Sequence, residues 1–467
     1  MPTATKARPA PHPAPPPAHP APPAASPAAR AAARLAPFAP LLPAVAVVLL
    51  LCAPVSDEGS PGSRVTLADA ASGVLVVHCA VRLLRDRRRP LSRLAVLLIA
   101  APAVAFAVAT ATSWDPAASL PGFVRYLQIF VLVPAAVLLL LRDRADFRVL
   151  AGAVLCVAVV QGGVGVHQYL TGTGASYQGQ DIRAVGTFGP LDVMGMSTVV
   201  AYGIVIALAA GLAPPAGSPR WLRPAALGSA AALLVPLALS FSRGAWIATA
   251  AAVLAVLLLA GLRLALGALA LLTAAAVVLV GGVGVGSEQI GQRLGSITQV
   301  TAAPDQSVTD RYTMWAAATA MWRDSPATGV GLKGFPAHRD GHASLALSSG
   351  SDTAGAGRGF HREPLLSPHN MYLLVLSEQG LIGLTALAGG WLALLACALR
   401  RLRAGTRGGL PADCGLIAAG LLVWQLVDFV YADIGGPSTV LTAVMIGLAA
   451  WWGLHPQTRP GSGAAAR

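Results

Sequence analysis

The chain has 467 residues, of which 55% are hydrophobic and only 11% are charged. Soluble domains carry about 25% charged residues, so this composition excludes an ordinary soluble domain and predicts an all-α integral membrane protein. The net charge of +13 comes from arginine clusters between apolar segments, which indicates membrane topology and no binding of nucleic acid.

Apolar segments of the length that a bilayer requires, about 20 residues, recur along most of the chain. They predict about twelve transmembrane helices, at residues 35–54, 65–84, 91–112, 120–141, 147–166, 191–213, 224–240, 243–262, 264–283, 381–399, 412–431 and 436–454. The predicted organisation is a disordered Pro/Ala-rich cytoplasmic tail (1–33), a bundle of nine spans (34–283), an extracytoplasmic helical loop (284–368), three further spans (369–455) and a cytoplasmic tail (456–467).

The arginine clusters set the predicted orientation. They follow the second, fourth, sixth and tenth spans, and all lie on one side of the membrane if the N-terminus is cytoplasmic. We therefore predict a multi-pass protein of the cytoplasmic membrane with both termini in the cytoplasm. Residues 167–190 and 284–368 then lie outside, and so does the predicted active site.

Arg243 is in the sequence 240–245, SFSRGA, near the predicted outer end of the seventh span. An arginine at such depth is costly and usually faces a cavity or a partner. The alternative is an interfacial arginine whose side chain reaches the lipid phosphates.

The long outer loop is predicted to contain a helix that begins at the capping box 307–310, SVTD. Arg311, Trp315 and Trp322 fall on one face of that helix, although Arg311 could also simply balance Asp310 on an exposed face. The Gly-rich residues 350–359 predict a flexible insertion or lid.

His369 and Asn370 follow Ser367 and Pro368, which suit a helix N-cap and first turn. The positive end of that helix would keep the imidazole of His369 neutral and able to accept a proton. Asp428, near the outer end of the eleventh span, could orient His369 or pair with an arginine. The alternatives are a polar residue at a helix start and an interfacial carboxylate.

A metal site is not indicated by the sequence. No Asp-x-Asp pair falls in the predicted outer segments, and the spacing of His338, His342 and His361 is not that of metal ligands. We therefore predict no metal and no cofactor.

Three stretches occur in one order along the chain: 240–245, then 311–315 with 324–331, then His369-Asn370 followed by Gly380 and Gly383. Together they resemble the O-antigen ligase family over roughly residues 180 to 400. The resemblance implies an inverting glycosyltransferase whose donor is a glycan on a polyprenyl pyrophosphate and whose acceptor is a glycan, a lipid or a protein.

The family resemblance also implies roles for individual residues. His369 would be the catalytic base, and Arg311 and Arg243 would hold the pyrophosphate. Arg183, Asn370 and Asp428 would bind substrate, although Asp192 stands in a region where family members often carry Asn.

Two alternatives stay open at the level of sequence. A polysaccharide polymerase would use the same donor with another glycan as acceptor. A solute or ion transporter is expected to have broken helices or repeated halves, and no internal repeat is visible in the sequence.

Overall fold

The computed structural model describes residues 36–54, 65–86, 91–177, 180–215, 217–268, 270, 306–344, 350–354, 360–364, 366–409, 411–436 and 438–455. The chain divides into two compact units, 1–40 and 41–467. Of the first unit the described part is 36–40, which opens a 3₁₀ turn, Ala36–Leu41. The two predicted tails, 1–33 and 456–467, lie outside the described residues.

The described part of the second unit is almost entirely helical. Its helices are α1 (Leu42–Leu49), α2 (Leu67–Asp86), α3 (Arg93–Ala111), α4 (Pro116–Leu140), α5 (Arg144–Thr171), α6 (Gly195–Leu212), α7 (Leu222–Leu239), α8 (Arg243–Ala260), α9 (Gln306–Asp324), α10 (Phe335–His342), α11 (Met371–Arg407), α12 (Asp413–Asp428) and α13 (Thr439–Leu454). Within α4, residues Gln128–Leu132 form a π turn.

Eight of these helices are long and apolar enough to cross a membrane, namely α2 to α8 and α11. The apolar segments Phe38–Cys52 and Thr439–Leu454 are shorter, and α12 has 16 residues. An all-α membrane protein is therefore confirmed, while the count of twelve spans stays a prediction. Of the ninth predicted span, 264–283, only 264–268 and 270 are described, and they are helical.

Arginine side chains join several helices at one end of the bundle. The Arg148 Nε lies 2.6 Å from the Asp413 Oδ2 at the start of α12. Nearby, Arg144 donates to the Pro411 carbonyl over 3.1 Å, and Arg401 donates to the Trp452 carbonyl over 2.6 Å. We call this the Arg401 end. Asp428 ends α12 about 24 Å away along the helix axis, at what we call the His369 end.

Two short hairpins accompany the helices. Strand β1 (Ala175–Tyr177) pairs with β2 (Gln180–Arg183), and β3 (Gly350–Ala354) pairs antiparallel with β4 (Phe360–Pro364). The predicted flexible insertion or lid at 350–359 begins with strand β3, in which each residue from Gly350 to Ala354 has a partner in β4; its role as a lid stays a prediction. Residues 355–359 lie outside the described part.

Helix α11 reverses its direction at Gly380. The rings of Tyr372 and Trp391 have centroids 6.3 Å apart. Nineteen residues of a straight helix would separate their Cα atoms by about 28 Å, so residues 371–379 must fold back beside 381–391. Gly380 has φ 62° and ψ −161°, a backbone conformation essentially confined to glycine. We call residues 371–379 the half-helix.

The segment 326–331 holds this reversal through backbone hydrogen bonds. Val330 N donates to Ser377 O over 3.0 Å and Gly331 N to Glu378 O over 2.9 Å, while Leu381 N donates to Pro326 O over 2.9 Å. The Glu378 carboxylate accepts from Phe335 N over 3.2 Å. The half-helix and the start of α10 are thus fixed to each other.

The same segment docks on the connection between α3 and α4. The Ser113 Oγ donates to the Val330 carbonyl over 3.3 Å, and the rings of Trp114 and His338 meet edge to face with centroids 4.7 Å apart. These contacts place α9 and α10 over the His369 end of the bundle.

Candidate functional site

His369 occupies the loop immediately before the half-helix, and its backbone is left-handed, with φ 49°. Helix α11 begins at Met371, and Asn370 is its N-cap, with the side-chain oxygen accepting from Leu373 N over 3.0 Å. The predicted helix start at Ser367 and Pro368 was therefore wrong. Asn370 has the extended backbone of an N-cap, so the helix begins after it and the histidine lies outside the first turn.

The loop 429–436, between α12 and α13, fixes the start of the half-helix. Met371 N donates to the Phe429 carbonyl over 2.8 Å and to the Ala432 carbonyl over 3.0 Å. The Tyr372 hydroxyl donates to the Leu426 carbonyl over 2.7 Å. Three hydrogen bonds thus join the start of the half-helix to the loop 429–436 and to Leu426 near the end of α12.

Helix α9 approaches His369 from the other direction. The Trp315 indole Nε1 donates to the Pro368 carbonyl over 2.8 Å. Arg311 lies one turn earlier on the same helix, and its positive charge acts on the His369 ring. The described part of this helix starts at Gln306, so the predicted capping box at 307–310 lies within the helix.

The imidazole of His369 experiences opposite charges from two elements. Burial of the ring lowers its pKa below the usual 6.5; Asp433, in the loop 429–436, raises the pKa, and Arg311 lowers it. The net direction is downward, which favours the neutral imidazole that the sequence predicts. The cause is burial together with Arg311, whereas the sequence argument relied on a helix terminus.

Asp433 is a site residue that the sequence analysis did not identify. Its Oδ2 is buried without a hydrogen-bond partner, as is the Oδ1 of Asp428. Asp428 interacts electrostatically with Asp433 and Asp192. The only signal in the sequence is a carboxylate beside two glycines at 433–436, in a short connection between apolar runs.

Arg183 and the start of α8, where Arg243 lies, meet around Met194, and we call Arg183 and Arg243 the second basic group. The Arg183 Nε donates to the Ser240 carbonyl over 3.0 Å, and its Nη2 lies 3.7 Å from the Met194 Sδ. Ser242 caps α8 just before Arg243, and its Oγ lies 3.3 Å from the same sulfur.

The second basic group is connected to His369 through the loop 429–436. A Cβ added to Gly244 would lie 2.9 Å from the Cβ of Tyr431, so the start of α8 packs directly on this loop. At the far end of the loop, the Asp192 Oδ2 accepts from Ser438 N over 2.9 Å. Burial is the largest cause that raises the pKa of Asp192, and the hydrogen bonds from Ser438 oppose it.

The structure thus brings the predicted residues to one end of the bundle in two groups. His369, Asn370 and Arg311 form the first, joined by Asp433, and Arg183 and Arg243 form the second. Such an arrangement offers a neutral base next to a carboxylate, with guanidinium groups that suit phosphate oxygens. Within the part of the chain that the structure describes, no three His, Cys, Asp or Glu side chains group as metal ligands.

Fold and site together define an integral membrane protein with a polar, arginine-containing site at one end of a helical bundle. Residues 228–388 match the family model described as O-antigen ligase, which confirms the resemblance that the three motifs predict. The match covers all three motifs, from α8 to the reversal of α11, and about a third of the chain. It supports glycosyl transfer of the ligase or polymerase type. No curated protein matches the chain.

Proposed function

We propose that this protein is an inverting glycosyltransferase that moves a glycan from a polyprenyl pyrophosphate to an acceptor hydroxyl. The observation that carries the proposal is the His369 ring just before the half-helix, where burial lowers its pKa and the charges of Asp433 and Arg311 both act on it. The acceptor is a glycan, a lipid or a protein, and the reaction takes place on the outer face of the cytoplasmic membrane.

In the proposed step, the acceptor oxygen attacks the anomeric carbon while its proton passes to the neutral imidazole of His369. The bond between the anomeric carbon and the phosphate oxygen breaks, and the electron pair leaves with the pyrophosphate. Attack from the opposite face inverts the anomeric carbon. Asp433 stabilises the imidazolium that forms, because its carboxylate already raises the pKa of the ring.

The leaving pyrophosphate requires positive charge. Arg311 is near His369, and Arg243 and Arg183 are linked to it through the loop 429–436. Planar guanidinium groups bind phosphate oxygens in a bidentate manner, so they can hold the leaving group without a metal. Asn370 would then act by capping the half-helix next to the site, and Asp428 by polar contacts to substrate.

Because the arginines would hold the pyrophosphate without a metal, transfer by the purified protein should survive EDTA. A strict requirement for Mg²⁺ or Mn²⁺ would contradict the arginine mechanism.

The proposed orientation rests on the arginines at the Arg401 end. Arg144, Arg148 and Arg401 lie together there, at the opposite end of α12 from Asp428. Arginine-rich ends face the cytoplasm in membrane proteins, so the His369 end faces outward.

The decisive test is the amount of lipid-linked glycan in cells that carry His369→Ala. We expect the glycan to accumulate on its carrier, because loss of a general base costs about 10²–10⁴-fold in rate. Arg243→Lys should also be impaired, since lysine keeps the charge and loses the planar fork. His342→Ala is the matched control, because His342 pairs with Asp324 on α9 through a 2.8 Å contact to the Asp324 Oδ2. Normal transfer by well-expressed His369→Ala protein would overturn the proposal.

A transporter is the second candidate, and one observation favours it. Discontinuous helices carry the substrate sites of many secondary transporters, and α11 is discontinuous at Gly380. A transporter would tolerate His369→Ala in the glycan assay and would show altered solute uptake. A polymerase would differ from a ligase only in its acceptor, which an assay with defined acceptors would identify.

A further inference from the structure

Met194 differs in accessibility from the other methionines of the described chain. It lies in the turn just before α6 and is partly exposed. The five other methionines that the structure describes are at most 2% exposed, namely Met196, Met314, Met321, Met371 and Met445. Oxidation of a methionine to its sulfoxide depends on access of the oxidant to the sulfur. Within the described residues, Met194 is therefore the methionine that a dissolved oxidant reaches first.

Two hydrogen-bond donors lie against the sulfur of Met194. The Ser242 Oγ is 3.3 Å from the Sδ, and the Arg183 Nη2 is 3.7 Å from it. A thioether sulfur is only a weak acceptor, so neither contact holds its donor firmly. The Arg183 Nε also donates to the Ser240 carbonyl over 3.0 Å. The Ser242 Oγ also accepts from Ala245 N over 3.3 Å, so both donors are held beside the sulfur by bonds that do not involve it.

The positions of these donors suit a sulfoxide oxygen. That oxygen would be one bond away from the Sδ. Donors 3.3 Å and 3.7 Å from the sulfur can then reach it at the usual hydrogen-bond distance of about 2.7–3.2 Å. A hydrogen bond from a charged guanidinium is roughly twice as strong as one between neutral groups. The oxidised side chain should therefore bind Arg183 much more firmly than the thioether does.

A bond to the sulfoxide would make Arg183 less available to phosphate. Arg183 belongs to the second basic group, and its Nε is already engaged by the Ser240 carbonyl. A guanidinium binds phosphate oxygens through two parallel N–H groups. An Nη2 group that donates to a sulfoxide oxygen cannot use the same N–H for a phosphate, so oxidation of Met194 should weaken this arginine as a phosphate ligand.

We propose that Met194 is a site of reversible oxidation, and that its sulfoxide oxygen captures the Arg183 guanidinium and thereby lowers glycan transfer. The effect on transfer rests on the proposed function, whereas the oxidation and the capture do not. In the oxidation step, the sulfur attacks one oxygen of hydrogen peroxide and the O–O bond breaks. The departing hydroxide takes the proton of the transferred oxygen and leaves as water. The sulfur loses two electrons, which the peroxide gains.

The first measurement is the order in which the methionines are oxidised. The purified protein is treated with dilute hydrogen peroxide, and fragmentation of the peptide that contains both Met194 and Met196 locates the added oxygen. Met194 should be oxidised well before Met196, which is 0% exposed. Oxidation of the two at the same rate would overturn Met194 as the oxidation site.

The second measurement is the reactivity of Arg183 with phenylglyoxal, which does not depend on transfer. Oxidation of the wild-type protein should slow the modification of Arg183, because the sulfoxide binds its Nη2. Met194→Gln supplies an amide oxygen as a permanent acceptor and should slow the modification without peroxide. Met194→Leu has a similar volume and no sulfur, so peroxide should not change the reactivity of Arg183 in that protein. Unchanged reactivity of Arg183 in the oxidised wild-type protein would overturn the capture.

The third measurement is transfer before and after peroxide. The oxidised wild-type protein should lose transfer by about tenfold or more, the change that one charged hydrogen bond produces. Methionine sulfoxide reductases for both sulfoxide epimers should restore transfer, which excludes oxidised cysteine as the cause. Met194→Leu should transfer equally with and without peroxide, while Met196→Leu, the matched control, should lose transfer as the wild-type protein does. An equal loss in the Met194→Leu protein would overturn the proposal.

These measurements separate the inference from the proposed function. Slower modification of Arg183 after oxidation, in a protein that shows no transfer even when reduced, would support the capture and contradict the proposed function. If Met194→Leu fails to fold, treatment of the oxidised wild-type protein with the reductases decides. Loss of transfer that the reductases do not restore would then overturn the proposal.

Discussion

The neutral state of His369 results from opposing effects on one ring. Burial and the charge of Arg311 favour the neutral imidazole, and Asp433 favours the imidazolium. A general base must be neutral before the reaction and must hold the proton during it. Burial and Arg311 favour the neutral state of His369, and Asp433 favours the protonated state. Removal of either charged neighbour should therefore shift the pH dependence of transfer, in opposite directions for Asp433 and Arg311.

Transfer should fall on the acidic side through a pKa below 6.5, because kcat/KM requires neutral His369 in the free enzyme. Asp433→Asn removes the charge that raises this pKa, so the residual activity should persist to lower pH. Arg311→Gln removes the charge that lowers it, so the acidic limb should move to higher pH. The measurement is the normalised pH profile of kcat/KM.

Asp324→Asn is the control for these profiles. Asp324 pairs with His342 and raises the pKa of that histidine, which lies outside the site. Its removal should leave the acidic limb unchanged. Shifts of Asp433→Asn and Arg311→Gln in the same direction would contradict the assignment of opposite influences on His369.

Trp315 offers a second test at the level of single residues. Its Nε1 donates to the Pro368 carbonyl next to His369, and Trp315→Phe removes that donor while keeping an aromatic ring. The loss of one such hydrogen bond costs about 1 kcal/mol, so we expect lower thermal stability and reduced transfer. Trp322→Phe is the matched control, because the Trp322 Nε1 is buried without a hydrogen-bond partner. Equal losses in both variants would mean that the Trp315 bond does not position His369.

At the scale of elements, the reversal of α11 depends on Gly380. A side chain there would adopt a strained backbone and its Cβ would meet the Ala327 carbonyl and lie 2.5 Å from Thr328 N. Gly380→Ala should therefore lower the free energy of unfolding by at least the strain cost of about 1–3 kcal/mol. Thermal unfolding in detergent would measure the change.

Gly389→Ala provides the comparison for that prediction. Gly389 has helical surroundings and open space, so alanine should be neutral or stabilise α11 by roughly 0.5–1 kcal/mol. If the two variants unfolded at the same temperature, the close packing of 326–331 on the reversal would not limit stability.

The long apolar segments could be predicted because hydropathy depends on local composition alone. The helices that are long and apolar enough to cross a membrane coincide with these segments. The reversal at Gly380 could not be predicted. The half-helix before it and the part of α11 after it are both apolar and helical, and a single glycine is tolerated within a helix. The helix start was misplaced by three residues because Ser367 and Asn370 are both good caps, and only tertiary contacts of Met371 choose between them.

Most of the candidate site residues were selected because they lie in family motifs. His369, Asn370, Arg243 and Arg311 lie in motifs and gather at one end of the bundle. Asp433 lies in no motif, and its effect on His369 arises from the fold of the loop 429–436. Asp428 was selected because carboxylates are rare in apolar segments. In the structure, the charges that act on it are those of Asp433 and Asp192.

At the scale of the whole molecule, the proposed topology can be tested with single cysteines in a protein whose five native cysteines are replaced. Gly350→Cys, in β3, should react with a membrane-impermeant maleimide in intact cells, because the His369 end is proposed to face outward. Arg403→Cys, close to the Arg401 end, should react only after permeabilisation. Reaction of the Gly350→Cys protein only after permeabilisation would reverse the proposed orientation and refute an outer active site.

The candidate site residues are far apart in the sequence, so they can come together only late in the synthesis of the protein. The bond between Asp192 and Ser438 joins residues 246 positions apart, and Met371 takes its partners from 429–432, on the far side of α12. A nascent chain that has just inserted α11 already contains His369, Arg243 and Arg311, but not the loop 429–436 on which Met371 and the start of α8 pack. Under the proposed function, glycan transfer requires this loop, so a chain arrested after α11 should be inactive. Synthesis of α12 and the loop that follows it is then the step that completes the proposed site.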